Sequence, residues 1–98
     1  MTEDSLQTPV LFLIFNRPDL TRRVFAEVRR ARPARLFVVA DGPRADRPGE
    51  VELCRQAREA VQVDWPCELR LEFREKNLGA KVGVAAAIDW FFRNVEEG

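Results

Sequence analysis

The chain has 98 residues, 46% hydrophobic and 33% charged, with zero net charge, which suits one small core and is short for an enzyme that must hold two substrates. Residues 1–49 carry nine Arg against six acids and residues 50–98 seven basic groups against ten acidic ones, a +3/−3 asymmetry too mild for a nucleic-acid binder with its basic stripe. There is no His, and Cys54 and Cys67 stand at a spacing that fits no zinc pattern, so a protein-supplied zinc site is excluded.

The first apolar block, Val10-Leu11-Phe12-Leu13-Ile14-Phe15, shows no alternation, as expected of a parallel strand covered on both faces. The mostly polar residues 1–8 before it are expected to form a flexible tail. Asn16-Arg17-Pro18-Asp19 ends the strand, and Pro18 or Asp19 starts a helix whose apolar residues Leu20, Val24, Phe25, Val28 and Ala31 recur at helical spacing. Pro33 stops that helix.

Leu36-Phe37-Val38-Val39-Ala40 is the second strand, and it runs into Asp41-Gly42-Pro43 and a loop rich in Arg, Asp, Pro and Gly to about Pro48. Val51, Leu53, Cys54, Ala57, Ala60 and Val61 define a second helix, closed by Asp64-Trp65-Pro66. In the third strand, Glu68 to Phe73, Leu69, Leu71 and Phe73 point one way and Arg70, Glu72 and Arg74 the other, the mark of an edge strand with one wet face. Asn77-Leu78-Gly79 turns the chain into a last helix through Val84, Ile88, Phe91, Phe92 and Val95. Its Trp90-Phe91-Phe92 run reads as core packing, and its nearly all-round apolar stretch Ala85 to Ile88 implies burial on two sides.

These elements predict an α/β chain, a three-layer βαβαβα unit with a parallel sheet in the order 3-2-1, folding as a single domain over residues 1–98. Ligands of such sheets sit at the carboxyl ends of the strands. The candidate site residues are therefore Phe15, Asn16 and Arg17 after the first strand, Asp41 and Gly42 after the second, and Asn77, Gly79 and Lys81 after the third, with Arg44 nearby. Taken singly, each segment is equally a helix cap or a tight turn; together they offer one carboxylate for a base edge and cations for a pyrophosphate. No Walker loop and no G-x-G-x-x-G fingerprint occurs, so ATPase and dinucleotide readings lack their usual support.

Pro9-Val10-Leu11-Phe12-Leu13-Ile14-Phe15-Asn16-Arg17, the strand ending Val39-Ala40-Asp41-Gly42, and Asn77-Leu78-Gly79 before a helix resemble, over essentially the whole chain, the family 2 glycosyltransferases and related GT-A enzymes. The resemblance implies the nucleotide-binding half of a GT-A, Rossmann-like fold and a nucleoside diphosphate sugar as ligand, a UDP-sugar favoured. It implies that Asp41 accepts from the base imide, that Arg17 lies near base or phosphates, that Asn77 and Gly79 shape the wall, and that Lys81 reaches the diphosphate. It also implies a divalent metal, Mn or Mg, held in the complete enzyme by a D-x-D motif after a fourth strand. These 98 residues contain neither that motif nor an acceptor-binding half. No catalytic residue and no metal ligand is assigned within them, and the chain alone is expected to bind nucleotide without transferring sugar.

Two further expectations concern its setting. The compartment is read as cytoplasmic, with both thiols reduced and no membrane span, because no apolar block approaches the roughly 18 to 20 residues a span needs. The open edge of strand 1 or the last helix is expected to support a homo-oligomer, most simply a dimer, which also supplies the competing reading: a non-catalytic α/β module acting through association.

Overall fold

The computed structural model describes residues 7–97, and most of the expected tail, residues 1–6, lies outside them. The elements run β1 (Val10–Ile14), α1 (Pro18–Ala31), β2 (Arg35–Ala40), α2 (Glu50–Glu59), β3 (Glu68–Phe73) and α3 (Ala80–Glu97). All three strands are parallel in the order β1-β2-β3, which is the expected 3-2-1 sheet. Strand β2 is central, with five of its six residues buried, because two layers of helix cover its two faces.

The register fixes which residues share a face. Phe12 stands opposite Val38 and Ile14 opposite Ala40, and with Leu36 they form one core with Phe25 of α1 and Trp65. Phe25 stacks between Phe12 and Trp65, with ring centroids 6.3 and 5.9 Å away. The Trp65 indole N–H, buried with its ring, donates to the Pro33 carbonyl at 2.9 Å, so the polar end of this large side chain is satisfied. Helices α1 and α2 pack side by side on this face. On the opposite face α3 brings Trp90 and Phe91 edge-on to the Phe37 ring, at 5.5 and 5.1 Å.

Local chemistry sets the ends of α1. Pro18 occupies the first turn, where its missing N–H leaves no bond unmade. Arg29 and Arg30 sit in the last turn, where cations favour the carbonyl end. Arg32 then closes the helix in the left-handed region at φ 50°, its N–H donating to the Val28 and Arg29 carbonyls. Pro33 follows and prevents a further turn.

Burial departs from expectation in four places. Strand β1, expected to be covered on both faces, is an edge strand that leaves Leu13 40% exposed. The apolar side of β3 is not sealed: Leu71 and Phe73 border an open groove beside α2, where the Arg58 guanidinium lies 5.0 Å over the Phe73 ring. Helix α2 ends at Glu59, two residues before the apolar spacing implies, and is too short to cover that edge. Helix α3 buries Gly83 and Ala87, but Val82, Val84 and Ile88 are exposed, and Phe92 is 56% exposed rather than core. Cys54 is buried and Cys67 half-buried, both as free thiols. Among the described residues no helix is long and apolar enough to cross a membrane.

Candidate functional site

A cleft of about 640 Å³ opens where the carboxyl ends of the strands meet the outer edge of β1, a size within the usual range for small-molecule sites. Six of the eight candidates line it: Phe15, Asn16, Arg17, Asp41, Asn77 and Gly79. Gly42 is buried behind the wall and Lys81 is exposed on the first turn of α3, and neither lines the cleft. The apolar part comes from β1, α1 and α3, through Leu13, Leu20, Val24 and Val84.

Asp41 is at the centre of the polar wall, and its side chain is 15% exposed. One carboxylate oxygen accepts the Gly42 and Leu78 amides, both at 2.9 Å. The other accepts the Gly79 amide at 3.2 Å and the Asn77 Nδ2 at 3.3 Å. A carboxylate offers about four acceptor sites, so these four bonds occupy it. Asp41 thereby ties the end of β2 to the turn that leads into α3, satisfying the backbone N–H groups of Leu78 and Gly79 just before the helix. For Asp41 to accept from a base imide, one of these donors must give way.

Gly42 explains how the two segments come so close. A Cβ at that position would stand 2.6 to 2.7 Å from backbone atoms of Glu75 and Lys76, so only glycine lets the β3–α3 connection pass. The Gly42 carbonyl in turn accepts the Asn77 Nδ2 at 2.9 Å. Gly79 sits at φ +84°, a conformation glycine adopts without strain.

A second carboxylate, Glu50 at the start of α2, organises the other wall and was not anticipated from the sequence. It is only 4% exposed and accepts from the Arg44 backbone N–H at 2.7 Å, Arg44 Nε at 3.0 Å, Arg44 Nη2 at 2.6 Å and Asn16 Nδ2 at 2.9 Å. The hydrogen bonds from the Arg44 side chain, then that from its backbone, hold the Glu50 carboxyl at about 2, below its ordinary 4.5, against the opposing effect of burial. The Arg44 guanidinium, raised in turn by Glu50, lies 5.6 Å over the Phe15 ring. An acid opening a helix is a common surface feature, so the sequence carried no signal separating Glu50 from Glu52 beside it.

The depressed Glu50 carboxyl has a pH consequence with a definite sign. Its stabilisation is complete above the ordinary carboxyl value and is lost as pH falls from about 4.5 towards 2. Glu52 is held at about 2 by Arg55 and then Gln56, but this pair is half-exposed and is screened by salt. In high salt the Tm of the wild-type chain is expected to fall through this window more steeply than that of Glu50→Gln; equal slopes would show that the Glu50 cluster does not stabilise the fold.

Charges along the cleft nearly cancel. Arg44 is paired with Glu50, and Arg74 stands 3.3 Å from Glu72 and 4.0 Å from Asp41. Arg17 is exposed and has no acidic partner among the described residues. Among the described residues no group of three or more His, Cys, Asp or Glu side chains gathers to hold a metal ion. The arrangement is that of an α/β chain with a nearly neutral, largely apolar cleft, walled by polar groups, at the carboxyl edge of a parallel sheet. No family model matches the chain, and comparison with curated proteins and with solved structures gives no match.

Proposed function

We propose that the chain is the nucleotide-binding part of a glycosyltransferase that uses a nucleoside diphosphate sugar, with a UDP-sugar favoured. The observation that carries this reading is the convergence of all three strand-end segments on one cleft of about 640 Å³. The cleft has an aromatic and aliphatic floor for a base, carboxamides for its edge and, in Arg17, an exposed arginine without an acidic partner among the described residues. Its near-neutral wall suits the nucleoside better than the diphosphate, so in this reading the divalent metal that neutralises the diphosphate is held by other acidic groups, and sugar transfer needs them too. A cytoplasmic setting belongs to the same reading and is supported by the two free thiols.

Titration of the isotope-labelled chain with UDP, with and without Mn2+, is expected to shift the amides of Asn16, Asn77 and Gly79 with a dissociation constant on the order of 1 mM, about −4 kcal/mol. Absence of any shift at these residues with millimolar UDP or GDP would remove the reading.

A second reading is supported by the outer edge of β1, which has no strand partner among the described residues, and by the exposed Leu13, Leu20, Val24 and Val84 beside it. In that case the chain acts by pairing with a second copy through this edge or the outer side of α3, and the cleft is part of the interface. Light scattering on the titration samples separates the two, since a monomeric mass at every concentration excludes self-association.

A further inference from the structure

We infer that Glu50 is a positioning residue that turns the Asn16 carboxamide so that its Oδ1 receives the imide N–H of a base bound in the cleft. The inference rests on the nucleotide-binding reading and adds to it the groups that choose the base. A carboxylate only accepts hydrogen bonds, so the Asn16 group 2.9 Å from Glu50 must be the NH2 end of the amide. Oδ1 is then the free acceptor of the group, while Nδ2 keeps one further hydrogen. Asn77 is oriented by the same device, with Nδ2 donating to Asp41 and to the Gly42 carbonyl.

The cleft therefore presents two carboxamides, Asn77 with both Nδ2 hydrogens engaged and Asn16 with one held by Glu50, and a carboxylate, Asp41, whose acceptor sites are filled from within the chain. A base edge bearing an N–H donor finds the Oδ1 atoms of Asn16 and Asn77 there. One bearing a ring-nitrogen acceptor meets these same oxygens and finds a carboxamide donor only in the second Asn16 Nδ2 hydrogen, on the end held by Glu50. Uracil carries such an N–H as an imide and guanine as a lactam, whereas adenine and cytosine present a bare ring nitrogen. Asn16 is the better placed of the two carboxamides because it adjoins Phe15, an aromatic side chain lining the same cleft.

Uridine, 3-methyluridine and cytidine are the probes, read through assigned side-chain amide signals of Asn16 and through affinities. The wild-type chain should bind uridine about tenfold more tightly than either of the others, the worth of one buried hydrogen bond. Glu50→Gln should move the Asn16 side-chain signals and bring that ratio close to one, with the amide pattern of β1 to β3 retained. If Glu50→Gln does not fold, Asn16→Ala is read instead and must also lose the preference. Unchanged Asn16 side-chain signals in Glu50→Gln, or a preference that survives in either variant, overturns the inference. Uridine binding without preference overturns it while leaving the nucleotide reading intact; no binding of any probe by the wild-type chain overturns both.

Discussion

Asp41→Ala is expected to destabilise the chain by about 3 kcal/mol, from hydrogen bonds to a charged group whose donors lose their acceptor on truncation. Three of those donors are the backbone amides of Gly42, Leu78 and Gly79, and the fourth is Asn77. They lie in a half-buried wall where water replaces the carboxylate only in part, so the loss exceeds that of an ordinary surface cap, which is about 1 kcal/mol. Urea unfolding of wild type and variant measures it; a loss below about 1 kcal/mol would mean that the connection before α3 is held by other contacts. A drop in nucleotide affinity in Asp41→Ala would therefore not identify Asp41 as a ligand contact, because the cleft wall moves with it. Glu50→Gln and Asn16→Ala are the more informative variants for that question.

Gly42→Ala is expected to be comparably damaging, by about 2 to 4 kcal/mol, and for a steric reason. Overpacking against side chains costs about 1 to 3 kcal/mol because they adjust. Here the added Cβ meets the backbone of Glu75 and Lys76 at 2.6 to 2.7 Å, and backbone cannot rotate aside. The connection from β3 to α3 would be displaced, taking with it the Asn77 bond to the Gly42 carbonyl and the amides bound to Asp41. Gly49→Ala is the control: its Cβ has nothing within 4 Å but its φ is +84°, so only backbone strain of about 1 to 2 kcal/mol applies. Equal losses in the two variants would show that the close approach at Gly42 is relieved at little cost.

Both effects converge on the junction between β2 and the β3–α3 connection, which is also where the cleft has its polar wall. Binding of the proposed nucleotide would thus be coupled to stability at this junction. Any ligand that contacts Asn77 or Gly79 should tighten it, by the mass-action rule that binding to the folded state stabilises that state.

The elements and their order were legible in the residues. Apolar blocks with Pro and Gly punctuation mark β1, β2 and β3 to within one residue of their observed ends, because punctuation and hydrophobic period are local properties of the chain. The three polar strand ends were legible for the same reason, and six of the eight residues chosen from them line one cleft. Lys81 was not separable from these by its neighbours. It follows Gly79 by two residues, but the turn of the helix takes it out of the cleft lining.

What the sequence determined by itself is therefore the periodic content: three strands, three helices, a parallel sheet in the order 3-2-1 and the end at which polar residues collect. Only the tertiary structure decided what those polar residues do. Glu50 lies 34 positions from Asn16 and six from Arg44, and Asp41 lies 36 to 38 from Asn77, Leu78 and Gly79. No local period encodes such partnerships, which arise when neighbouring strand ends are brought side by side. The same holds for Phe92 and the apolar side of β3, whose exposure depends on how far α3 and α2 reach across the sheet. A hydrophobic pattern specifies which face a side chain takes; the lengths and placement of the covering helices determine whether that face is closed.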